Sequence, residues 1–558
     1  MVRFNHVISM LTFLVLGAIV VNYGFLVRFP APLVRAMHIL DYVVLGLLAV
    51  DLAVGYLRSR PVGQHWRSAW FDTIMFLLGG TLAAIGSYAV LAVALRQLVA
   101  TGRTFARLGG FVRELQRRPV ALLALSFLAL IVVGTFLLLL PAATTSQKGA
   151  SFITALFTAV SAVCVTGLTV VDIGTYFSRF GQGLILSLIQ LGGLGIMTFY
   201  AGLAVLVGGR LGLGQRRTIS AVVAESRHEE IGHTLRYIIL FTVLAEVTGT
   251  LLLFMRWLGD LNTPLQAAYY ALFHSVSAFC NAGFALYSRN LMVYQTDFLV
   301  NMVMMALIVT GGLGFSVVHE LVNRESLRRS PREVLKRLSA HARMVLLTTA
   351  ILIGSGAVLF LVLEFNNALA GLPLPAKLLA ALFQAVTPRT AGFSTVPLGA
   401  LRPTTIFLWS LLMFIGASPG GTGGGIKTTT AAVLFLTIRS RIIGREDPEF
   451  SGRSIVKDTV YRAASIAALA AGIVSVAFAL LLVFEPLPFT SLLFEVVSAF
   501  GTVGLSTGIT PSLSAAGKLC LVVLMFTGRV GPLTLALVMQ PRERRLPISY
   551  PRARILVG

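Results

Sequence analysis

Charge is what this 558-residue chain has least of. Only 12% of its residues are Asp, Glu, Lys or Arg, about half the share of a soluble domain, so most of the chain cannot face water. Acidic residues are scarcest, 22 Asp and Glu against 45 Lys and Arg, for a formal net charge of +23. Cysteine is nearly absent. Cys164, Cys280 and Cys520 make no disulfide framework and no CxxC metal spacing, and buried apolar thiols are expected at all three. His228 and His233 stand five apart beside Glu225, Glu229 and Glu230 on a basic stretch, a spacing that fits no helical metal pair. No enzymatic function is expected.

Apolar residues fill the chain, 56% of it. Runs near the roughly 20 residues that cross a bilayer as one helix occupy 121–140, 184–207, 237–255, 344–363, 464–484 and 519–539, each expected as a continuous span. The run 7–26 is too long for a removable leader and has no small-residue cleavage site. The basic excess gathers in loops between spans. Arg324, Arg328, Arg329, Arg332, Lys336, Arg337 and Arg343 form one set, and Arg439, Arg441, Arg445, Arg453, Lys457 and Arg462 another. Arg542, Arg544, Arg545, Arg552 and Arg554 close the chain, whereas 141–150 and 364–376 hold only Lys148. This is the positive-inside pattern. It accounts for the charge without nucleic acid and predicts a multi-pass protein of the cell (inner) membrane with basic loops cytoplasmic.

A repeat underlies the spans. Phe157, Phe273, Phe383 and Phe494 each open the pattern Phe-x-x-Val-Ser/Thr. Small or polar residues follow, then a glycine (Gly167, Gly283, Gly392, Gly504) and a large apolar residue (Leu168, Phe284, Phe393, Leu505). The glycine comes ten residues after the phenylalanine in three copies and nine in the third, and the glycines recur at intervals of 116, 109 and 112 residues. Each copy has a long apolar span, a short apolar stretch, the glycine and another long span. A stretch of about ten to twelve residues cannot cross a bilayer, and irregular backbone at that depth is tolerated only along a water-filled path. The fold expected is all-α and integral to the membrane: helix, pore helix, loop and helix, four times around a pseudo-fourfold pore. Glycine takes positive φ and turns a carbonyl toward an axis with no side chain in the way, and four such loops surround a dehydrated cation with carbonyl oxygens.

The second helix of the third unit is interrupted by Gly416-ASPGGTGGGI-Lys427, with Gly420, Gly421, Gly423, Gly424 and Gly425 in close succession. At roughly 1 kcal/mol per glycine, plus Pro419, no continuous helix survives there. The segment does not read as a phosphate loop, because it lies between apolar spans and not between a strand and a helix. In the fourth unit Arg529 stands where the first two have Gly193 and Gly312. A cationic side chain within a span faces the bundle interior or a cavity; snorkelling to the headgroups is the alternative.

From about Arg118 onward these features resemble the pore-forming subunits of the Trk/Ktr/HKT superfamily of potassium transporters. The resemblance implies a selectivity filter at Val165, Thr166 and Gly167, at Asn281, Ala282 and Gly283, at Thr390, Ala391 and Gly392, and at Thr502, Val503 and Gly504, with K⁺ at the four glycines. Serine at the first glycine marks Na⁺-preferring plant members; here all four are glycine, which implies K⁺ permeation. It also implies a gate below the filter formed by the loop from Gly416 to Lys427, with Arg529 as an electrostatic barrier held by carbonyls of 416–426. Pore units are expected at 118–233, 234–340, 341–460 and 461–558, the last with the basic tail. The family implies a homodimer and a cytosolic nucleotide-binding ring that opens the gate, and no cofactor besides the transported K⁺. A Na⁺-permeable or Na⁺-coupled transporter of the same fold is the alternative. A carrier for an organic solute also uses broken helices, but usually in two inverted halves, whereas these four repeats are direct.

Residues 1–117 are extra to these units. Spans are expected at about 7–27, 38–57 and 69–90, and a fourth crossing through 91–113 returns the chain to the side of Arg113, Arg117 and Arg118. That crossing carries Arg96, Arg103 and Arg107 on one helical face, with Asp41, Asp51 and Asp72 as partners. The pattern resembles the four-helix voltage-sensor module of cation channels. An amphipathic helix at the headgroups is the other reading.

Overall fold

The computed structural model describes residues 119–195, 231–322, 333 and 337–532. The crossings and charges expected in 1–117 lie outside the described residues, as does the basic tail.

Four units follow one plan of outer helix, pore helix, loop and second helix. The first has α1 (Pro119–Leu138), α2 (Phe152–Val163) and α3 (Arg179–Gly193). The second has α4 (Ile231–Trp257), α5 (Pro264–Phe279) and α6 (Phe298–Gly312), continued by α7 (Phe315–Val322). The third has α8 (Ala340–Glu364), α9 (Leu374–Val386) and α10 (Pro403–Phe414), then α11 (Thr428–Ile442) after the glycine-rich interruption. A small antiparallel hairpin, β1 (Glu449–Phe450) with β2 (Arg453–Ser454), leads to the fourth unit. That unit has α12 (Lys457–Phe484), α13 (Phe489–Gly501) and α14 (Ala515–Val530).

Among the described residues 237–257, α8 and α12 are long and apolar enough to cross a membrane. Their outer faces expose Leu244, Met255, Leu347, Val362, Val476 and Val483, as lipid contact requires. The pore helices have 12, 16, 13 and 13 residues. At about 1.5 Å per residue they reach roughly 18–24 Å, short of the ~30 Å apolar layer. Each second helix packs on the pore helix of the next unit: α3 on α5, α6 on α9, α10 on α13, and α14 on α2. The last contact joins the fourth unit to the first and closes the ring.

Polar ties at one end of each unit hold outer and second helices together. Ser178 Oγ donates to the Ala142 carbonyl at 2.6 Å, and Arg256 Nε meets the Asp297 carboxylate at 2.6 Å. Glu364 accepts from the Arg402 N–H at 3.0 Å and from the Thr405 hydroxyl, and Glu485 from the Ser514 N–H at 2.9 Å. Ser178, Asp297 and Ser514 also cap their helices, accepting from Gly181, Val300 and Gly517 N–H groups otherwise left without a partner.

The continuous spans expected over 184–207 and 519–539 are not continuous helices. The described part of the first ends at Gly193, with Gly195 at φ +70°; the second ends at Val530, with Gly531 at φ +93°. Between α6 and α7 the chain turns through 108° at Gly314, φ +91°, and Gly420 has φ +75° after α10. Among the described residues a glycine with positive φ therefore follows the second helix in all four units. Apolar composition places a segment in lipid, but a left-handed glycine ends its helix. Cys164 and Cys280 are buried as expected, whereas Cys520 is only partly so.

Candidate functional site

The four repeat glycines meet in a ring. Gly167, Gly283, Gly392 and Gly504 have φ of +90°, +70°, +75° and +90°. Each lies against the loop of the next unit, beside the carbonyl of the residue before its glycine: Gly167 by Ala282, Gly283 by Ala391, Gly392 by Val503, and Gly504 by Thr166. A Cβ on Gly283 would lie 3.0 Å from that oxygen and one on Gly392 2.5 Å, with the other two closer still. Two constraints thus demand glycine here, the left-handed backbone and the neighbour's carbonyl. A cavity of about 240 Å³ opens at the ring, lined by all four glycines with Asp172 and Asn290.

The Ser/Thr of the motif fastens each loop to its pore helix. Ser161 Oγ donates to the Leu168 carbonyl at 2.8 Å and accepts from the Gly167 N–H at 3.1 Å. Ser277 donates to Phe284, Thr387 donates to Phe393, and Ser498 accepts from the Gly504 N–H. The motif phenylalanines and the large residues after the glycines are buried behind the loops. In the first, second and fourth units the N–H before the glycine bonds back five residues, from Thr166 to Ser161, Ala282 to Ser277 and Val503 to Ser498. In the third, Ala391 bonds back four residues to Thr387. The missing residue is absorbed there, and the ring keeps its register.

Beneath the ring the chain from Gly416 to Lys427 crosses between units. Ser418 and Thr422 N–H groups donate to the Gly312 and Gly311 carbonyls, each at 3.1 Å, and the Gly425 N–H donates to Gly528 at 3.2 Å. Its glycines serve close approach: a Cβ on Gly424 would lie 2.5 Å from Thr502 Oγ1, and one on Gly421 2.7 Å from the Gly312 carbonyl. Gly416 lies against Gly424, Gly423 against Thr390, and Gly420 takes positive φ. Lys427 Nζ returns to the Gly423 carbonyl at 2.7 Å. The Arg529 guanidinium donates to the carbonyls of Thr422 and Gly192. One acceptor belongs to the loop 416–426 and the other to the end of α3, because α14 faces the first unit as well as the third.

The chain matches the family described as TrkH, cation transport protein, over residues 93–545. It is 38% identical over 442 residues to the Ktr system potassium uptake protein B of Bacillus subtilis, covering 79% of this chain and 97% of that protein. The chain belongs to the TrkH family. The Vibrio alginolyticus protein of the same name is 37% identical over 439 residues, 78% of this chain and 94% of the other. The potassium/sodium uptake protein NtpJ of Enterococcus hirae is 35% identical over 447 residues, 79% and 97%. The crystal structure of the potassium transporter TrkH from Vibrio parahaemolyticus shares the fold with a TM-score of 0.60 at 18% identity, covering 91% of this chain and 98% of that one. As a TrkH-family chain this is a membrane transport protein and not an enzyme.

Two features of the site escape a reading of the motif. Val165, Asn281, Thr390 and Thr502, each two residues before the ring glycine, have φ of +56°, +59°, +66° and +51°. Three are β-branched, types that rarely enter the left-handed region, so residue identity gives no signal. Alternating positive and negative φ turns successive carbonyls to one side of the backbone. The second feature is the position after the motif phenylalanine, Thr158, His274, Gln384 and Glu495, at most 1% exposed in every unit. Its signal is polarity at a fixed register, spread over four dissimilar side chains.

Proposed function

We propose that this chain carries K⁺ across the cell membrane along the axis of its glycine ring. The observation that supports this most is the closed order Gly167, Gly283, Gly392, Gly504, each glycine beside the next unit's carbonyl. Carbonyl oxygens from four directions replace the hydration shell of a monovalent cation. The filter residues are Val165, Thr166, Asn281, Ala282, Thr390, Ala391, Thr502 and Val503 with the four glycines, one pore unit contributing each loop. The loop 416–427 and Arg529 form the gate: the loop lies under the ring, and the guanidinium puts a fixed positive charge on the cation's path. No cofactor takes part. Basic loops such as 323–343 face the cytoplasm of the cell membrane, where a nucleotide-binding ring docks on a homodimer of this chain.

The relatives from B. subtilis and V. alginolyticus are named for potassium uptake. The E. hirae relative is named for potassium and sodium, so Na⁺ permeation is the second reading. Purified protein in liposomes is expected to take up Rb⁺ against an outward K⁺ gradient, with K⁺ competing more strongly than Na⁺. Equal competition would favour the second reading, and uptake no faster than in empty liposomes would overturn the proposal.

A further inference from the structure

The residue after each motif phenylalanine is buried inside an apolar pore helix, where a polar group is costly unless it is hydrogen-bonded. Three of the four find partners in one place, the stretch just beyond their own ring glycine. His274 Nε2 accepts from the Leu286 N–H at 3.3 Å. The Gln384 amide donates to the Ser394 and Thr395 hydroxyls, each at 3.4 Å. Glu495 accepts from the Ser506 hydroxyl and from that of Thr510, the latter at 3.0 Å. Each of these units therefore has a second fastening, two or more residues beyond its ring glycine, besides the Ser/Thr fastening at the glycine itself.

The fourth fastening differs in chemistry. Both Glu495 oxygens are engaged, and the Thr510 hydroxyl, 2.9 Å from Ser506 Oγ, shares its one proton between that oxygen and the carboxylate. Ser506 Oγ also accepts from the Gly508 N–H at 2.9 Å. Carboxylate, two hydroxyls and a backbone N–H make one closed cluster, and Ser506, Gly508 and Thr510 line the cavity that the ring glycines share. Glu495 itself has no exposed surface. Bonds to a carboxylate are shorter and about twice as strong as neutral ones, so the fourth loop is held more firmly than the second and third. An amide in this place keeps one acceptor but turns a donor toward the other hydroxyl, so Thr510 must give its proton wholly to Ser506 Oγ and the bonds lose the carboxylate's charge.

We infer that Glu495 is a positioning residue: it holds 506–510 and so sets the width of the outermost cation site on the side of the fourth loop, sharpening discrimination between K⁺ and Na⁺. This rests on the filter reading above. Discrimination, unlike total uptake, does not fall when a variant merely folds less well, because both ions are then lost in proportion.

The test compares Rb⁺ uptake under K⁺ and Na⁺ competition in liposomes for Glu495→Gln, Glu495→Asp, the double variant Ser506→Ala/Thr510→Val, and Gly504→Ser. Glu495→Gln is expected to lose about tenfold or more of K⁺ over Na⁺ discrimination, the scale of one bond to a charged group. Ser506→Ala/Thr510→Val keeps the carboxylate and is expected to lose as much, while Glu495→Asp keeps part of the discrimination. Unchanged discrimination in a monodisperse Glu495→Gln protein overturns the inference. So does a loss in Glu495→Gln with none in the double variant, which would make charge alone responsible. If Glu495→Gln does not fold, the double variant decides. Silence of Gly504→Ser would instead defeat the filter reading, whereas an effect there, with the other variants silent, defeats only this inference.

Discussion

The Gly424 N–H donates to Thr502 Oγ1 at 2.9 Å, joining the glycine-rich loop of the third unit to the ring loop of the fourth. Thr502 is one of the left-handed residues before a ring glycine, so the bond links the proposed gate to the backbone of the proposed filter. Thr502→Val keeps the shape and removes the acceptor. Losing such a bond costs about 1 kcal/mol, roughly fivefold in a two-position equilibrium. Rb⁺ uptake into liposomes is expected to rise by about that factor in Thr502→Val and to stay low in Thr502→Ser. A fall in Thr502→Val would count against a loop that closes by this bond.

Arg529→Ala removes a cation and its ties to Thr422 and Gly192. Steady-state Rb⁺ uptake is expected to increase, with Arg529→Lys between it and the parent, since a compact ammonium cannot copy a planar fork that serves two carbonyls. Zero uptake by a well-folded Arg529→Ala protein would remove the barrier role.

The glycines of the interrupted helix provide two opposite expectations. If they served flexibility, alanine would stiffen the loop and reduce transport. Their neighbours argue for close approach instead: a Cβ on Gly424 lies 2.5 Å from Thr502 Oγ1 and 3.0 Å from the Gly528 carbonyl. Gly424→Ala should therefore push the loop off its seat and raise Rb⁺ uptake. Reduced uptake at equal protein content would contradict the close-approach account.

Ser161 bonds both sides of the first ring glycine, through the Leu168 carbonyl and the Gly167 N–H. Ser161→Ala leaves two buried backbone groups without partners, at about 1–3 kcal/mol each. The detergent-solubilised variant should melt a few degrees lower, at roughly 1 °C per kcal/mol for a chain of this length. Added K⁺ should narrow the gap by mass action on the folded state. An unchanged Tm would mean the loop does not depend on this hydroxyl.

The four units were legible in the sequence because Phe157, Phe273, Phe383 and Phe494 and the glycines after them repeat in both type and register. The shortened third copy was legible as well, but only the structure reveals the Ala391-to-Thr387 bond that absorbs it. The ends of α3 and α14 were not, since Gly195 and Gly531 look like the other glycines of these apolar runs, and a glycine's φ is set by packing. Arg529 announced itself as a charge among apolar residues; its second acceptor, Gly192, lies 337 positions away in sequence and is visible only once the ring closes. Glu495 and its counterparts share polarity and register in the sequence but no residue type, and the burial that marks them out is created by folding.

Competitive uptake in liposomes for the parent protein and for Gly167→Ser, Gly283→Ser and Gly392→Ser tests the central claim most directly. The added side chain at each site meets the next unit's carbonyl. The account predicts Rb⁺ uptake by the parent that K⁺ inhibits far better than Na⁺, with this preference weakened in each monodisperse serine variant. Uptake with an unaltered K⁺ preference in all three variants would contradict a cation path through the glycine ring.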